Sequence, residues 1–211
     1  MKQPGKRIRR SKEEAKSLIL DAAEHLLIEG GTTAVQVRAV ANTIGITDAA
    51  INHHFENRDG LLEAMLRRAG KRLKTQISEV VIQWEETEFD LDTLIELFQN
   101  LYAKQGYATL ALQLHLSGWR DKGSGLLTPI VESIHKENIC RARESGQAAP
   151  SLDETRFAVG ALHQLVALNP IFGNEFARSA GASDKNKLSA AKKKEMWADL
   201  ARRILLTSKT E

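Results

Sequence analysis

The sequence is poor in cysteine, in proline and in long apolar runs. Its single cysteine, Cys140, excludes a disulfide within the chain and suits a reducing compartment such as the cytoplasm. No apolar run approaches the roughly 20 residues that a membrane-spanning helix needs. The N-terminus is basic but lacks the apolar stretch of a signal peptide. The composition therefore predicts a cytoplasmic protein.

Motifs typical of enzymes and of metal sites are also missing. The chain has no glycine-rich phosphate loop, no nucleophile elbow, no His-Glu-x-x-His sequence and no cluster of carboxylates. His53 and His54 are adjacent, but neighbouring helical residues point about 100° apart. No acidic or cysteine partner is spaced to complete a metal site with them. We expect neither an enzyme nor a metal or other cofactor.

Positive charge is concentrated at the N-terminus, although the net charge of the whole chain is only +3. Six basic residues precede the first acid, Glu13. Such a segment is typical of an arm that binds nucleic-acid phosphates, and a solubilising tail is the alternative. We expect residues 1–10 to form a disordered basic arm. The six basic residues are Lys2, Lys6, Arg7, Arg9, Arg10 and Lys12.

Apolar residues recur at helical spacing through most of the remaining chain, and no segment has the pattern of a β-strand. Ser11 with Glu14, and Ser151 with Glu154, have the spacing of capping boxes that open helices. The sequence therefore predicts an all-α fold. Helices are predicted over residues 12–29, 36–43, 48–55, 58–84, 91–104, 107–120, 128–143, 152–169 and 189–206, with 171–188 irregular or only partly helical.

The fourth predicted helix is unusually long. Some 28 residues at 1.5 Å each give roughly 42 Å, enough to leave one domain and enter another. Asn57 is its N-cap candidate. Gly70 lies inside it and either marks a bend or packs closely against a neighbour.

Residues 33–58 are the most informative stretch. Apolar side chains between Val37 and Ile44 fall on one face of a first short helix. Gly45 then supplies the left-handed backbone that a helix end favours. Thr47 is an N-cap candidate for a second helix, and Asp48 in its first turn suits the helix dipole. Two such helices make a helix-turn-helix, whose second helix enters the major groove of DNA.

The residues of this stretch resemble the DNA-binding domain of the TetR/AcrR family of transcriptional regulators. The resemblance lies in Val37-Arg38-Ala39-Val40-Ala41, in Gly45-Ile46-Thr47 and in Ile51-Asn52-His53-His54-Phe55, followed by Arg58. It implies an N-terminal three-helix helix-turn-helix domain over residues 11–58. It also implies that a long helix joins this domain to a helical effector-binding and dimerisation domain over residues 59–211.

The resemblance assigns roles to individual residues. Arg38 reaches a base, and arginine favours guanine. The leading end of the second helix, from Thr47 to Ala50, meets base edges. His53 faces DNA, whereas His54 packs or contacts the DNA backbone. The predicted DNA contacts are Gln36, Arg38, Thr47, Asp48, Ala49, Ala50, Asn52, His53, His54 and Arg58.

Three of these positions depart from the family pattern. Gln36 stands where threonine or serine often caps the helix and touches phosphate. Asn52 stands where a phosphate-binding tyrosine is usual, and it is able to bind phosphate or to read adenine. Arg58 replaces the more usual lysine, and its planar fork suits phosphate well.

The resemblance also implies that the middle helices enclose an effector pocket and that the last two long helices form a four-helix homodimer bundle. The candidate lining residues are aromatic or carry polar tips, which suggests a mainly apolar effector with a few hydrogen bonds. Ordinary packing is the alternative for each of them. The candidates are Trp84, Phe98, Tyr102, His115, Trp119, His163 and Gln164.

Together these observations predict a dimeric transcriptional repressor. It would bind a palindromic double-stranded DNA operator and would be released by a small-molecule effector. The alternative is a DNA-binding dimer whose C-terminal domain binds no small ligand and serves dimerisation or partner recruitment.

Overall fold

The computed structural model describes residues 11–86, 89–123, 125–183 and 188–206. Within these ranges the chain is helical and contains no strand, which confirms the predicted all-α fold. The predicted arm, residues 1–10, lies outside the described residues. The helices are α1 (Lys12–Ala34), α2 (Val37–Ile44), α3 (Asp48–Phe55), α4 (Arg58–Glu86), α5 (Leu91–Gln99), α6 (Tyr107–Leu116), α7 (Thr128–Ser145), α8 (Leu152–Ser179) and α9 (Ala190–Leu205).

The chain divides into two compact units, one ending at Arg67 and the other beginning at Arg68. The division falls within α4, so this helix starts in the first unit and continues in the second. In the first unit α1 packs against α2, and α2 packs against α3. The core of the first unit contains the fully buried residues Ile19, Ala23, Leu27, Val40, Ala41, Ile51, Leu61 and Leu62.

In the second unit α8 is the central helix. It packs against α5, α6, α7 and α9, and α9 also packs against α5. Asn138 of α7 is buried, and its amide donates to the carbonyl oxygen of Leu205 at 2.8 Å, which fixes the last turn of α9. Fully buried apolar residues of this unit include Ile77, Leu94, Phe98, Tyr107, Leu110, Ile130, Ile134, Leu162 and Ala201.

Helix boundaries differ from the predictions where the helical hydrogen-bond pattern breaks or changes. The helical span of α1 continues to Ala34 across a break at Gly31, which has φ of 68° and ψ of −169°. After α5 the chain forms a π-helical segment, Asn100–Lys104, in place of the predicted continuous helix. α6 ends at Leu116, earlier than the predicted end at Arg120.

The predicted end of α8 before Pro170 is wrong, because this helix runs through the proline to Ser179. Residues 171–179 are therefore helical, in agreement with the partly helical alternative predicted for 171–188. A proline removes one donor from the helical ladder, but its fixed φ is compatible with a helix. We attribute the continuation to the packing of α8 against α9, which offsets the lost hydrogen bond.

Candidate nucleic-acid interface

The turn between α2 and α3 has the predicted geometry. Gly45 adopts a left-handed conformation with φ of 67° and ψ of 37°, and the amide of Ile46 donates to the carbonyl oxygen of Ala41 at 3.0 Å. Thr47 then caps α3, because its side-chain oxygen accepts from the amide of Ala50 at 3.2 Å. The two short helices and the glycine turn therefore form a helix-turn-helix.

One face of α3 is buried and its leading end is open. Ile51 and Phe55 lie in the core of the first unit, at 0% and 7% exposure. Ala50 is half-buried, next to them. The predicted contact residues that remain exposed on or beside this helix are Thr47, Asp48, Ala49, Asn52 and His53. Their side chains are available to a partner that approaches the exposed face of α3.

α2 presents a smaller exposed set. Arg38 is exposed, whereas Val40 and Ala41 on the other face are buried. Gln36 precedes the helix but makes no capping hydrogen bond to it. Its Nε2 donates instead to the carbonyl oxygen of Thr33 at 3.0 Å. The departure from serine or threonine at this position therefore removes the cap.

His54 packs into the first unit. Its Nδ1 atom is buried, and no hydrogen bond to it is found among the described residues. Burial lowers the pKa of His54, and the nearby positive charges of His53, Lys12 and Lys16 lower it further. The ring is therefore neutral at pH 7, which fits packing better than attraction to a phosphate.

Arg58 is half-buried and faces the connection between α1 and α2. Its Nε donates to the carbonyl oxygen of Val35 at 2.7 Å, and its Nη2 donates to that of Thr32 at 2.5 Å. Sequence reasoning missed this role because the acceptors are backbone atoms, which carry no residue-type signal. The predicted phosphate contact of Arg58 stays a prediction.

The turn from α3 into α4 is tight. The side-chain oxygen of Asn57 accepts from the amide of Gly60 at 2.9 Å, as its predicted capping role requires. A Cβ atom at Gly60 would lie 2.0 Å from the carbonyl oxygen of Phe55. The backbone of the turn therefore leaves no room for a side chain at residue 60.

Comparison with known proteins identifies this arrangement. Residues 19–65, from the middle of α1 into α4, match the family described as bacterial regulatory proteins, tetR family. The helix-turn-helix part of the chain therefore matches the TetR family. The match supports a DNA-binding transcriptional regulator, as the helix-turn-helix predicts. No curated protein sequence matches the chain.

Solved structures share this fold over most or all of the chain. One is the multidrug binding protein EbrR complexed with imidazole, at 18% identity and a TM-score of 0.52, with 100% of each chain covered. Another is NalD, the secondary repressor of the MexAB-OprM multidrug efflux pump in Pseudomonas aeruginosa. It is 19% identical with a TM-score of 0.51, over 94% of this chain and 100% of NalD. At these identities the likeness concerns the fold.

Three predicted effector-pocket residues lie together in the second unit. The hydroxyl oxygen of Tyr102, on the π-helical segment, lies 2.7 Å from Nε2 of His163 on α8. The ring of Phe98 lies 4.9 Å from the His163 ring, centre to centre. Burial raises the pKa of Tyr102 to about 12 and lowers the pKa of His163, so both are uncharged near neutral pH.

The other predicted pocket residues are placed differently. Trp84 is buried, and its Nε1 donates to the carbonyl oxygen of Asp90 at 2.6 Å, a contact that joins the end of α4 to the start of α5. His115 and Gln164 are exposed, and Trp119 is half-buried. The structure describes no hydrogen bond that joins these four to the Tyr102–His163 pair.

A groove of about 540 Å³ lies between the C-terminal half of α8 and α9. None of the predicted pocket residues lines it. Its lining includes Asn169, Gly173, Ala177, Met196, Trp197 and Leu200. Apolar side chains beside it are open to solvent in the single chain, and Phe176 is 66% exposed. This surface therefore belongs to the two helices that were predicted to form the dimer.

Metal ligands and membrane-spanning helices are not found in the part of the chain that the structure describes. No three His, Cys, Asp or Glu side chains there are close enough to hold a metal ion. No helix within the same residues is both long and apolar enough to cross a membrane.

Proposed function

We propose that this TetR-family regulator is a dimeric repressor that binds a palindromic operator and is released by a small-molecule effector. The DNA-binding part of this proposal rests on one observation, the exposed N-terminal end of α3. Thr47 caps this helix, Ile51 and Phe55 anchor it, and its outer side chains are open to solvent. A helix presented in this way fits the major groove of DNA.

The exposed residues suit a division between base reading and phosphate binding. Arg38 offers the two donors that pair with guanine O6 and N7. Asn52 offers the donor and acceptor that pair with adenine, or a donor for phosphate. Ala49 brings a methyl group suited to the thymine methyl, and Asp48 is able to accept from cytosine N4. His53 and Gln36 are also exposed and are our candidates for phosphate contacts.

The dimer part of the proposal is supported by the outer faces of α8 and α9. Large apolar residues on these helices, including Phe172, Phe176 and Met196, are 39%, 66% and 49% exposed in the single chain. Self-association would remove this surface from water. A twofold axis would then place the two α3 helices for half-sites about 34–36 Å apart.

The effector part is supported by Phe98, Tyr102 and His163. They combine an apolar ring with a hydroxyl–imidazole pair that is uncharged near neutral pH. This combination suits a mainly apolar ligand that exchanges one or two hydrogen bonds with the pair. A ligand that binds one dimer geometry better than the other would change the separation of the α3 helices and so release DNA.

Selection of bound sequences from random duplex DNA by the purified protein tests the proposal. At physiological salt we expect enrichment of a palindrome whose half-site centres are about one helical turn apart, roughly 34–36 Å. Absence of enrichment, with binding that disappears as salt rises, would leave only phosphate contacts and contradict a specific repressor.

The enriched duplex then serves in a displacement screen with apolar compounds that carry one or two polar groups. A displacing compound whose effect is weakened by Tyr102→Phe or His163→Gln would support the effector site. A protein that is dimeric and binds the palindrome, but responds to no compound, would support the alternative of a C-terminal domain that only dimerises or recruits a partner.

A further inference from the structure

Arg58, the first residue of α4, links two parts of the first unit that are distant in sequence. Its guanidinium contacts the carbonyl oxygens of Val35 and Thr32, which are 23 and 26 residues earlier in the chain. Arg58 itself follows α3 by only a few residues. The side chain therefore joins the entry to α2 with the exit from α3.

The connection between α1 and α2 needs such a partner. The helical ladder breaks at Gly31, and Val35 has φ of −78° and ψ of 80°, outside the helical region. Val35 is also fully buried, at 0% exposure. Carbonyl groups at a helix end lack partners within the ladder, and a buried unpaired carbonyl destabilises the fold. The guanidinium gives two of these carbonyls charged donors.

The start of α2 has no other side-chain anchor of the usual kind. A serine or threonine before a helix would hold its first amides, but Gln36 makes no such bond. Its side chain reaches back to the carbonyl oxygen of Thr33 instead. Gln36 and Arg58 therefore hold the start of α2 through their hydrogen bonds to the connection between α1 and α2.

We propose that Arg58 is a positioning residue for DNA recognition, which holds the start of α2, and with it Arg38, in a fixed place relative to α3. The inference rests on the proposed DNA-binding function. Arg38 lies three residues after Val35 and is exposed. Lysine in place of Arg58 keeps the charge but lacks the planar fork whose Nε and Nη2 reach the two carbonyls separately. The positioning role of Arg58 therefore depends more on the geometry of its guanidinium than on its charge.

The test compares full-length wild type with Arg58→Lys on two duplexes, the sequence enriched by selection and a scrambled version of it. We expect Arg58→Lys to weaken binding to the enriched duplex about tenfold, the effect of losing one charge-assisted hydrogen bond. Binding to the scrambled duplex and the salt dependence of binding should be unchanged. Arg67→Lys is the matched control, because Arg67 is an exposed arginine on α4 paired with Glu63, and it should change neither affinity.

A phosphate-binding role predicts a different pattern. Arg58→Lys would then keep wild-type affinity on both duplexes, and Arg58→Ala would reduce the slope of log affinity against log salt by about 0.9 on both. That pattern would overturn the positioning role.

Amide hydrogen exchange in the DNA-free protein separates this inference from the proposed function. We expect Arg58→Lys to accelerate exchange at the amides of Gln36 and Val40, which donate to the carbonyl oxygens of Ala34 and Gln36, and not in α8. If no duplex is enriched, the proposed function fails, while exchange still tests the link through Arg58. Exchange that is unchanged at Gln36 would overturn the link itself.

Discussion

The hydroxyl oxygen of Tyr102 and Nε2 of His163 lie 2.7 Å apart, although 61 residues separate them in the chain. The contact joins the π-helical segment to α8 inside the second unit. Burial keeps both groups uncharged near neutral pH, since it lowers the pKa of His163 below the ordinary value of 6.5 and raises the pKa of Tyr102 to about 12. π-helical turns are rare and are frequently found at functional sites.

The burial of His163 makes stability depend on pH. Because folded His163 resists protonation, the unfolded chain takes up the proton first as the pH falls. The stability that neutral His163 contributes is therefore present above pH 6.5 and is lost as the pH falls toward the lower folded pKa. In thermal unfolding, His163→Gln should lose less stability than wild type between about pH 7.5 and about pH 5.5.

The control for this experiment is Tyr102→Phe. It removes the hydroxyl group but leaves His163 buried, so the wild-type pH dependence should persist. His54, whose pKa is also lowered, remains in both variants and contributes equally to them. Identical pH dependence of stability in His163→Gln and wild type would show that burial of His163 does not cause the loss of stability at low pH.

Two glycines of α4 should respond oppositely to alanine. A Cβ atom at Gly60 would lie 2.0 Å from the carbonyl oxygen of Phe55, so Gly60→Ala must displace the α3–α4 turn. We expect a loss of about 1–3 kcal/mol in the free energy of unfolding. At Gly70 no described atom lies within 4 Å of an added Cβ, so Gly70→Ala should gain up to about 1 kcal/mol.

Calorimetric unfolding of the two full-length variants measures both effects. The open space at Gly70 also removes close packing as the reason for this glycine, and leaves a bend in α4 as the remaining hypothesis. A destabilised Gly70→Ala variant together with a neutral Gly60→Ala variant would contradict the geometry of both sites.

Replacing Arg38 with alanine should relax sequence preference at one base pair in each half-site. A bidentate contact to guanine is worth about 1–3 kcal/mol of discrimination, and alanine cannot make it. Repeating the selection from random DNA with Arg38→Ala measures this directly. Arg67→Ala removes the same charge away from α2 and should leave the selected sequence unchanged. An equal loss of affinity on every sequence would indicate a phosphate contact at Arg38.

Phe176→Glu should break the proposed dimer. Phe176 on α8 is 66% exposed in the single chain, and a glutamate buried there would bring two unpaired carboxylates into the interface. We expect the dimer to weaken by about 3 kcal/mol or more, roughly a hundredfold. Sedimentation at several protein concentrations gives the dissociation constant.

The matched control is Ile82→Glu, because Ile82 is similarly exposed, at 54%, but lies on α4. This variant should remain dimeric. Dissociation of Ile82→Glu with an intact Phe176→Glu dimer would place the interface away from α8. If wild type is monomeric at all accessible concentrations, the dimer proposal fails outright.

The local features of the fold are predictable from sequence because they depend on residues three or four positions apart. The capping boxes at Ser11 and Ser151, the cap at Thr47 and the turn at Gly45 all form as their residue types require. The exposed surface of α3 follows from the same periodicity, since Ile51 and Phe55 must face the core. The helix-turn-helix is therefore recognisable from the residues alone.

Other features are not predictable in this way. Pro170 predicts a helix end by local rules, yet α8 continues beyond it because it packs against α9. Of the seven predicted pocket residues, Phe98, Tyr102 and His163 are in contact with one another, a grouping that periodicity could not predict because it gives the face of a helix but not its neighbour. No sequence pattern predicts the hydrogen bonds from Arg58 to Thr32 and Val35, because their acceptors are backbone atoms.

Most of the helices, their caps and the exposed face of α3 follow from the amino-acid sequence, because neighbouring residues set the hydrogen bonds and the apolar periodicity of a helix. The contacts of Arg58 with the α1–α2 connection and of Tyr102 with His163 depend instead on the tertiary structure. They join residues 23 and 61 positions apart, and their geometry depends on how whole helices pack. Packing is a collective property of many side chains, so no single stretch of the chain encodes it.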